Sequence, residues 1–170
     1  MVAVDLVTGA ERPLITFPED GLAGAVGMAL SPDGQTLAFN APVERVRPAR
    51  SRLITVGIEG SNWRQIHEYD AGQWVDILRW TPDGQSLLFI EGVYDPTWRM
   101  MRIPATGGAA VFDGLDSAKF TGTVSLPSYE AANIANFDVS PDGNRVVFGS
   151  RSVPTYDVTV LENLLMHLVR

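Results

Sequence analysis

The decapeptide SPDGQTLAFN at residues 31–40 returns as TPDGQSLLFI at 81–90 and as SPDGNRVVFG at 140–149. Each copy has the chemistry of a tight turn followed by a strand. Pro sets φ at the first corner, Asp bonds to nearby backbone, and Gly accepts positive φ. A type I turn followed by a left-handed glycine joins antiparallel strands, so each copy predicts a hairpin tip. The flanks agree: AVGMAL, WVDILRW and ANFDV lead in, and TLAF, SLLF and RVVF lead out. Leu30, Trp80 and Val139 hold equivalent places before the turn, and Phe39, Phe89 and Phe148 equivalent places after it.

A second kind of hairpin follows each of the first two, in SRLITVGIEGSNWRQIHEYD and in TWRMMRIPATGGAAVFDG. The repeating unit therefore has four strands. Its markers Asp33, Asp83 and Asp142 are 50 and 59 residues apart, a little above the ~40–50 residues of common propeller blades. Strands are predicted near 2–7, 12–17, 25–30, 36–40, 52–58, 63–69, 74–80, 86–91, 98–103, 109–112, 134–139, 145–149 and 156–161. The tail LENLLMHLVR has Leu161, Leu164, Leu165 and Leu168 at helical spacing, and reads as a helix or as a strand with a frayed end. The expected fold is all-β: four-stranded antiparallel propeller blades, about three per chain, in one repeat region spanning 1–170. A four-stranded sheet cannot hide both apolar faces alone, whereas radial stacking does. Three blades leave a wedge with two open faces, since closed propellers have four to eight.

Composition narrows the function. The net charge of −7 argues against diffuse nucleic-acid binding, which needs a basic surface. Cysteine is absent, so neither disulfides nor thiolate chemistry are available. No apolar run approaches the length of a membrane span. MVAVDLVTGAERP has neither the basic nor the apolar region of a signal peptide.

No catalytic constellation emerges. His67 and His167 are the only histidines, 100 residues apart, which excludes a multi-histidine metal site within one chain. His67, beside Glu68 and Asp70, reads as a surface histidine at the end of an outer strand. No GxSxG occurs, and Thr81 replaces Ser31 and Ser140 in the middle copy, which suits a turn and not a nucleophile. Asp33, Asp83 and Asp142 read as turn carboxylates, and no metal or other cofactor is expected. ATGGAA at 105–110 is a hairpin turn without a phosphate-binding context. Trp80 reads as inter-blade core, and Trp63 and Trp98 as equivalent scaffold positions in the second hairpins. The binding candidates are Arg45, Arg47, Arg50 and Arg52 in APVERVRPARSR, with Tyr94 and Tyr129 in loops. Arginine suits bidentate contact with carboxylates, and therefore a protein or peptide ligand. The segment 113–133 is the most distinctive loop.

The three PDG stretches resemble the PD40, or WD40-like, β-propeller repeat of TolB-type proteins, tricorn-type proteases and prolyl-oligopeptidase-like peptidases. VDLVTGAERPLI resembles the outer hairpin that leads into such a repeat, and the likeness covers residues 2–161. It implies a scaffold and leaves the task open. Two expectations follow. One is a non-catalytic module for protein or peptide binding or assembly, a homodimer in which two half-propellers close one ring. The other is a propeller fragment of a larger peptidase or hydrolase, or of a loop-based enzyme. In a homodimer, the opening hairpin of another copy or strand 156–161 could complete the last blade. The resemblance implies a bacterial periplasmic setting if an export signal lies outside these residues, and otherwise a cytoplasmic one.

Overall fold

The computed structural model describes residues 1–13, 24–43, 50–69, 75, 77–91, 98–116, 133–151 and 156–162. Among these residues are thirteen strands: β1 (Val2–Val4), β2 (Glu11–Pro13), β3 (Val26–Leu30), β4 (Thr36–Pro42), β5 (Ser51–Gly57), β6 (Arg64–Tyr69), β7 (Leu78–Trp80), β8 (Ser86–Glu91), β9 (Arg99–Pro104), β10 (Val111–Asp116), β11 (Asn133–Val139), β12 (Arg145–Arg151) and β13 (Tyr156–Glu162). Each predicted strand has its counterpart, with ends shifted by a few residues. There is no helix among the described residues, and the tail beyond Glu162 lies outside them.

The strands form four antiparallel sheets. Sheet I runs β3-β4-β5-β6, sheet II runs β7-β8-β9-β10, and sheet III runs β11-β12-β13. The hairpin β1-β2 stands as a separate two-stranded sheet. Each sheet is a meander, because the repeated turns bring successive strands back beside their predecessors.

The turn chemistry explains the repetition. In the first copy Gly34 N–H donates to Ser31 C=O, and Gly34 sits at φ 71°. Asp33 Oδ1 accepts from Ser31 Oγ and from Gln35 N–H. Ser31 Oγ in turn accepts from Thr36 N–H at the start of β4. The hydroxyl is thus a relay between the Asp and the outgoing strand, which is why Ser and Thr interchange there. Thr81 and Ser140 repeat the arrangement with Asp83 and Asp142.

These bonds favour the ionised carboxylate. The pKa values of Asp33, Asp83 and Asp142 are held below the ordinary 3.8, first by the Ser or Thr hydroxyl and then by the backbone N–H. A lowered folded value means stability that is present above the unfolded pKa and is lost as pH falls through the folded one. Urea unfolding is therefore expected to show stability falling below about pH 4. The variant D33N/D83N/D142N keeps an acceptor oxygen at each turn and should lose much less over the same range. An equal loss in both proteins would contradict this assignment.

Alternation along the strands splits each sheet into two faces. Leu37, Phe39, Ala41, Ile54 and Val56 of sheet I form a cluster with Met1, Ala25 and Trp63. Ala29, Ala38, Leu53, Ile66 and Tyr69, on the other face, meet Leu78, Leu87, Phe89 and Ile103 of sheet II. Leu88, Ile90, Trp98 and Met100 of sheet II then meet Phe137 and Val146 of sheet III. The sheets stack face to face, with one apolar layer between each neighbouring pair. The first strands are closest at the interior: Trp80 Nε1 donates to Ala29 C=O at 3.0 Å, and Arg79 reaches Asp138 at 3.4 Å.

Three aromatic or aromatic-like positions differ from expectation. Trp63 stands before the fourth strand of sheet I and packs edge-on to Phe39 at 5.8 Å. Trp98 stands before the third strand of sheet II, on the opposite kind of face. They are therefore not equivalent positions, although both are scaffold. His67 is half-buried, edge-on to Tyr69 at 4.7 Å and tilted over Phe89 at 6.4 Å, so it belongs to the layer between sheets I and II.

Candidate functional site

The meander puts two kinds of connection at two ends of the stack. The PDG turns share one end with the β5-β6 and β9-β10 turns. A cleft of 910 Å³ opens there between sheets I and II, lined by Asp33, Thr55, Glu59, Arg64, Trp80 and Asp83 among others. Its two aspartates are committed to their own turns, and Glu59 pairs with Arg12 at 3.0 Å. Beside the cleft, a smaller pocket of 530 Å³ lies along the first strands, lined by Met28, Leu30, Arg79, Trp80, Asp138 and Val139 with the three turn prolines. Arg79 bridges sheets II and III there, pairing with Asp138 and lying 5.8 Å from the Phe137 ring centroid.

The opposite end is where β4 and β8 finish and β5 and β9 begin. Val43 N–H donates to Arg50 C=O and so closes the base of the β4-β5 connection. Of the candidates read from sequence, Arg50 and Arg52 are placed here. Both converge on Glu68 of β6, at 3.2 and 3.4 Å, and Gln65 Nε2 donates to the same carboxylate at 3.2 Å. The structure thus brings Arg50 and Arg52 together, through an acid on the neighbouring strand. Arg45, Arg47, Tyr94 and Tyr129 lie outside the described residues. So do His167 and residues 117–132 of the distinctive loop.

One charged pair carries no signal in the sequence pattern. Arg102 on β9 donates to Asp113 on β10 through Nε and Nη2, at 2.8 and 3.3 Å, and the Asp113 side chain has no exposed surface. Burial pushes the Asp113 carboxyl up, and Arg102 opposes that shift. This pair braces the outer edge of sheet II. Among the described residues, no group of three or more His, Asp or Glu side chains is gathered as a metal site would require.

The same arrangement of sheets recurs in solved structures. TolB from Acinetobacter baumannii superposes with a TM-score of 0.61 at 19% identity, over 94% of this chain and 34% of that one. A prolyl endopeptidase gives 0.60 at 16%, over 92% and 23%. A chain of a nidogen–laminin complex gives 0.62 at 13%, over 96% and 56%. The fold is a sector of a β-propeller. Sheets I and II are complete blades and sheet III is a three-stranded one. The chain spans about a third or less of the length of the TolB and prolyl endopeptidase chains it matches. No family model matches it, and no curated protein does.

Proposed function

We propose that this chain is a non-catalytic propeller module that works by assembly: it closes a ring with a second copy and offers its loop end to a protein or peptide. One comparison carries the proposal. Counting back from each PDG turn, Met28, Leu78 and Phe137 hold the same place in the first strand of successive blades. Leu78 is 0% exposed and Phe137 2%, each covered by the blade in front. Met28 is 54% exposed, and Leu30 beside it 52%. The outer part of the same face is covered, with Phe39 and Val56 at 0%. Among the described residues, the blade in front of sheet I thus has its outer hairpin, β1-β2, and no inner one. At the other end of the stack Val147 is 38% exposed, where its equivalents Ala38 and Leu88 are fully buried. Both terminal faces are built for a neighbour.

On the loop end, Arg50 and Arg52 stand where the β4-β5 connection, which carries Arg45 and Arg47, meets β5, and Tyr94 belongs to the β8-β9 connection. Tyr129 belongs to the connection that leaves β10. Arginine forks and tyrosine rings suit carboxylate-bearing peptide ligands. The test of assembly is the variant M28D/L30D, which puts charge on the open face. Light scattering is expected to show self-association weakened by roughly a hundredfold, because two charges would need desolvation at the contact. Circular dichroism should keep the β spectrum, since both side chains are already half-exposed. Unchanged association would count against the proposal.

The second reading, a propeller portion of a longer peptidase or hydrolase, is favoured by the short span of the chain on the prolyl endopeptidase. Turnover of peptide substrates by the 170-residue chain would support an enzyme and sink the non-catalytic module.

A further inference from the structure

We propose that β13 and the β1-β2 hairpin of a second copy compete for one sheet edge, the outer edge of β12, so that release of β13 permits ring closure. This rests on the assembly reading above, and names the segments that perform it.

The equivalence of β1 and β13 comes from the turns. Gly9, Gly60 and Gly107 N–H donate to the carbonyls of Asp5, Gly57 and Pro104, of which Gly57 and Pro104 end the third strand of their sheets and Asp5 directly follows β1. Gly57 pairs with Thr36, Pro104 with Ser86, and Glu162 with Arg145, so Glu162 takes the same place in sheet III. Aligned in this way, Ala3 corresponds to Thr55, Arg102 and Val160, and Val4 to Val56, Ile103 and Leu161. Both β1 and β13 are third strands. β13 has its second strand, β12, along the whole run Arg145–Arg151. Among the described residues β1 pairs only with β2, so its inner edge is open.

The hairpin β1-β2 already stands at the outer half of a blade. Met1 packs on the Leu37, Phe39 and Val56 cluster, and Arg12 pairs with Glu59. What its inner half requires is a PDG hairpin whose second strand lies beside β1 and whose side covers Met28 and Leu30. The β11-β12 hairpin of another copy has this form, and it carries Val147 on its uncovered face. Joined to β1-β2, it makes a sheet in the strand order of sheets I and II. The exchange is reciprocal, so two copies give a closed, isologous ring of four complete blades and two composite ones.

β13 stands in the way. It occupies the edge that β1 of the partner would take, and a strand can pair with only one of them. The residues after Glu162 are Asn, Leu, Leu and Met, without the glycine found in the turn after each other third strand. Within one chain, tethering favours β13 through its high effective concentration. Closure favours β1, because it also covers Met28, Leu30 and Val147 and leaves no edge at β1.

The test uses the full chain, which has no native cysteine. In the exchanged ring Ala3 stands opposite Val147 of the other copy, as Val160 stands opposite it within one chain. The variant A3C/V147C is expected to form a covalent dimer on mild oxidation, since directly opposed antiparallel residues have Cβ atoms about 4.5–5.5 Å apart. Two complete sheets separate Ala3 from Val147 within one chain, so an intramolecular bridge cannot form. The variant T159P/V160P places proline at adjacent positions, one of which must donate toward β12. It is expected to tighten dimerisation by about tenfold or more and to raise the cross-linking yield when combined with A3C/V147C. A dimer without that cross-link, and with an affinity indifferent to T159P/V160P, would overturn strand competition and leave assembly standing. A monomer in both the unmodified chain and T159P/V160P would overturn both.

Discussion

Phe89→Ala is expected to destabilise the chain by about 4 kcal/mol. Phe89 is 1% exposed on β8 and meets Tyr69 edge-on at 5.5 Å and His67 at 6.4 Å, in the layer between blades I and II. Truncation removes the largest fully buried side chain that blade II puts into that layer. It also leaves a cavity between two sheets whose ladders resist collapse. With a urea slope of about 2 kcal/mol/M, the midpoint should fall by about 2 M. Val147→Ala, on the open terminal face, removes little buried surface in the isolated chain and should change stability by less than about 0.5 kcal/mol. Equal effects from the two substitutions would contradict the blade assignment.

Arg102→Met is the second large effect. It leaves the Asp113 carboxylate buried beside no cation, at an expected cost of about 3–5 kcal/mol at neutral pH. The sign with pH follows from the direction of the shift. Burial already raises the folded pKa of Asp113, and removing Arg102 takes away the influence that lowers it. A raised folded value means the penalty is smallest in acid and grows as pH rises through that value. The gap between R102M and the unmodified chain should therefore narrow toward about pH 4. Adding D113L removes the stranded charge, and R102M/D113L should return to within about 1 kcal/mol of the original. A double-mutant cycle from urea unfolding reads the coupling directly. A small, pH-independent loss in R102M would show that the pair is not buried as described.

What the sequence disclosed was the local chemistry. Pro, Asp and Gly at fixed offsets specify a turn whatever surrounds it, and the apolar alternation on either side specifies the strands. Hence the three hairpins, the four-strand unit and the thirteen strands are all legible in the residues themselves. The relay through Ser31, Thr81 and Ser140 was less visible, because the pattern shows a tolerant position without showing the bond that makes it so.

Features that depend on register across strands were hidden. Arg52 lies opposite Glu68 only because β5 and β6 pair with a shift between Leu53 and Ile54, and no spacing rule gives that shift. Arg102 reaches Asp113 across a hairpin whose ladder is irregular after Phe112. Contacts between blades were further from view. Nothing local distinguishes His67 on a solvent face from His67 against Phe89, or tells that Arg79 reaches the Asp138 of the next blade. The candidate site was legible only in part. Arg50 and Arg52 could be found as a cluster, but the carboxylate they share comes from another strand.

The open faces were legible as an incomplete strand count, and the structure gives that count a physical form in Met28, Leu30 and Val147. The measurement that tests the account most directly is the solution mass of the unmodified chain, by sedimentation equilibrium over a dilution series. Closure of two sectors predicts a discrete species at twice 18.5 kDa that dissociates to single chains on dilution. A monomer at every concentration, or open-ended growth without a dimer plateau, would contradict it.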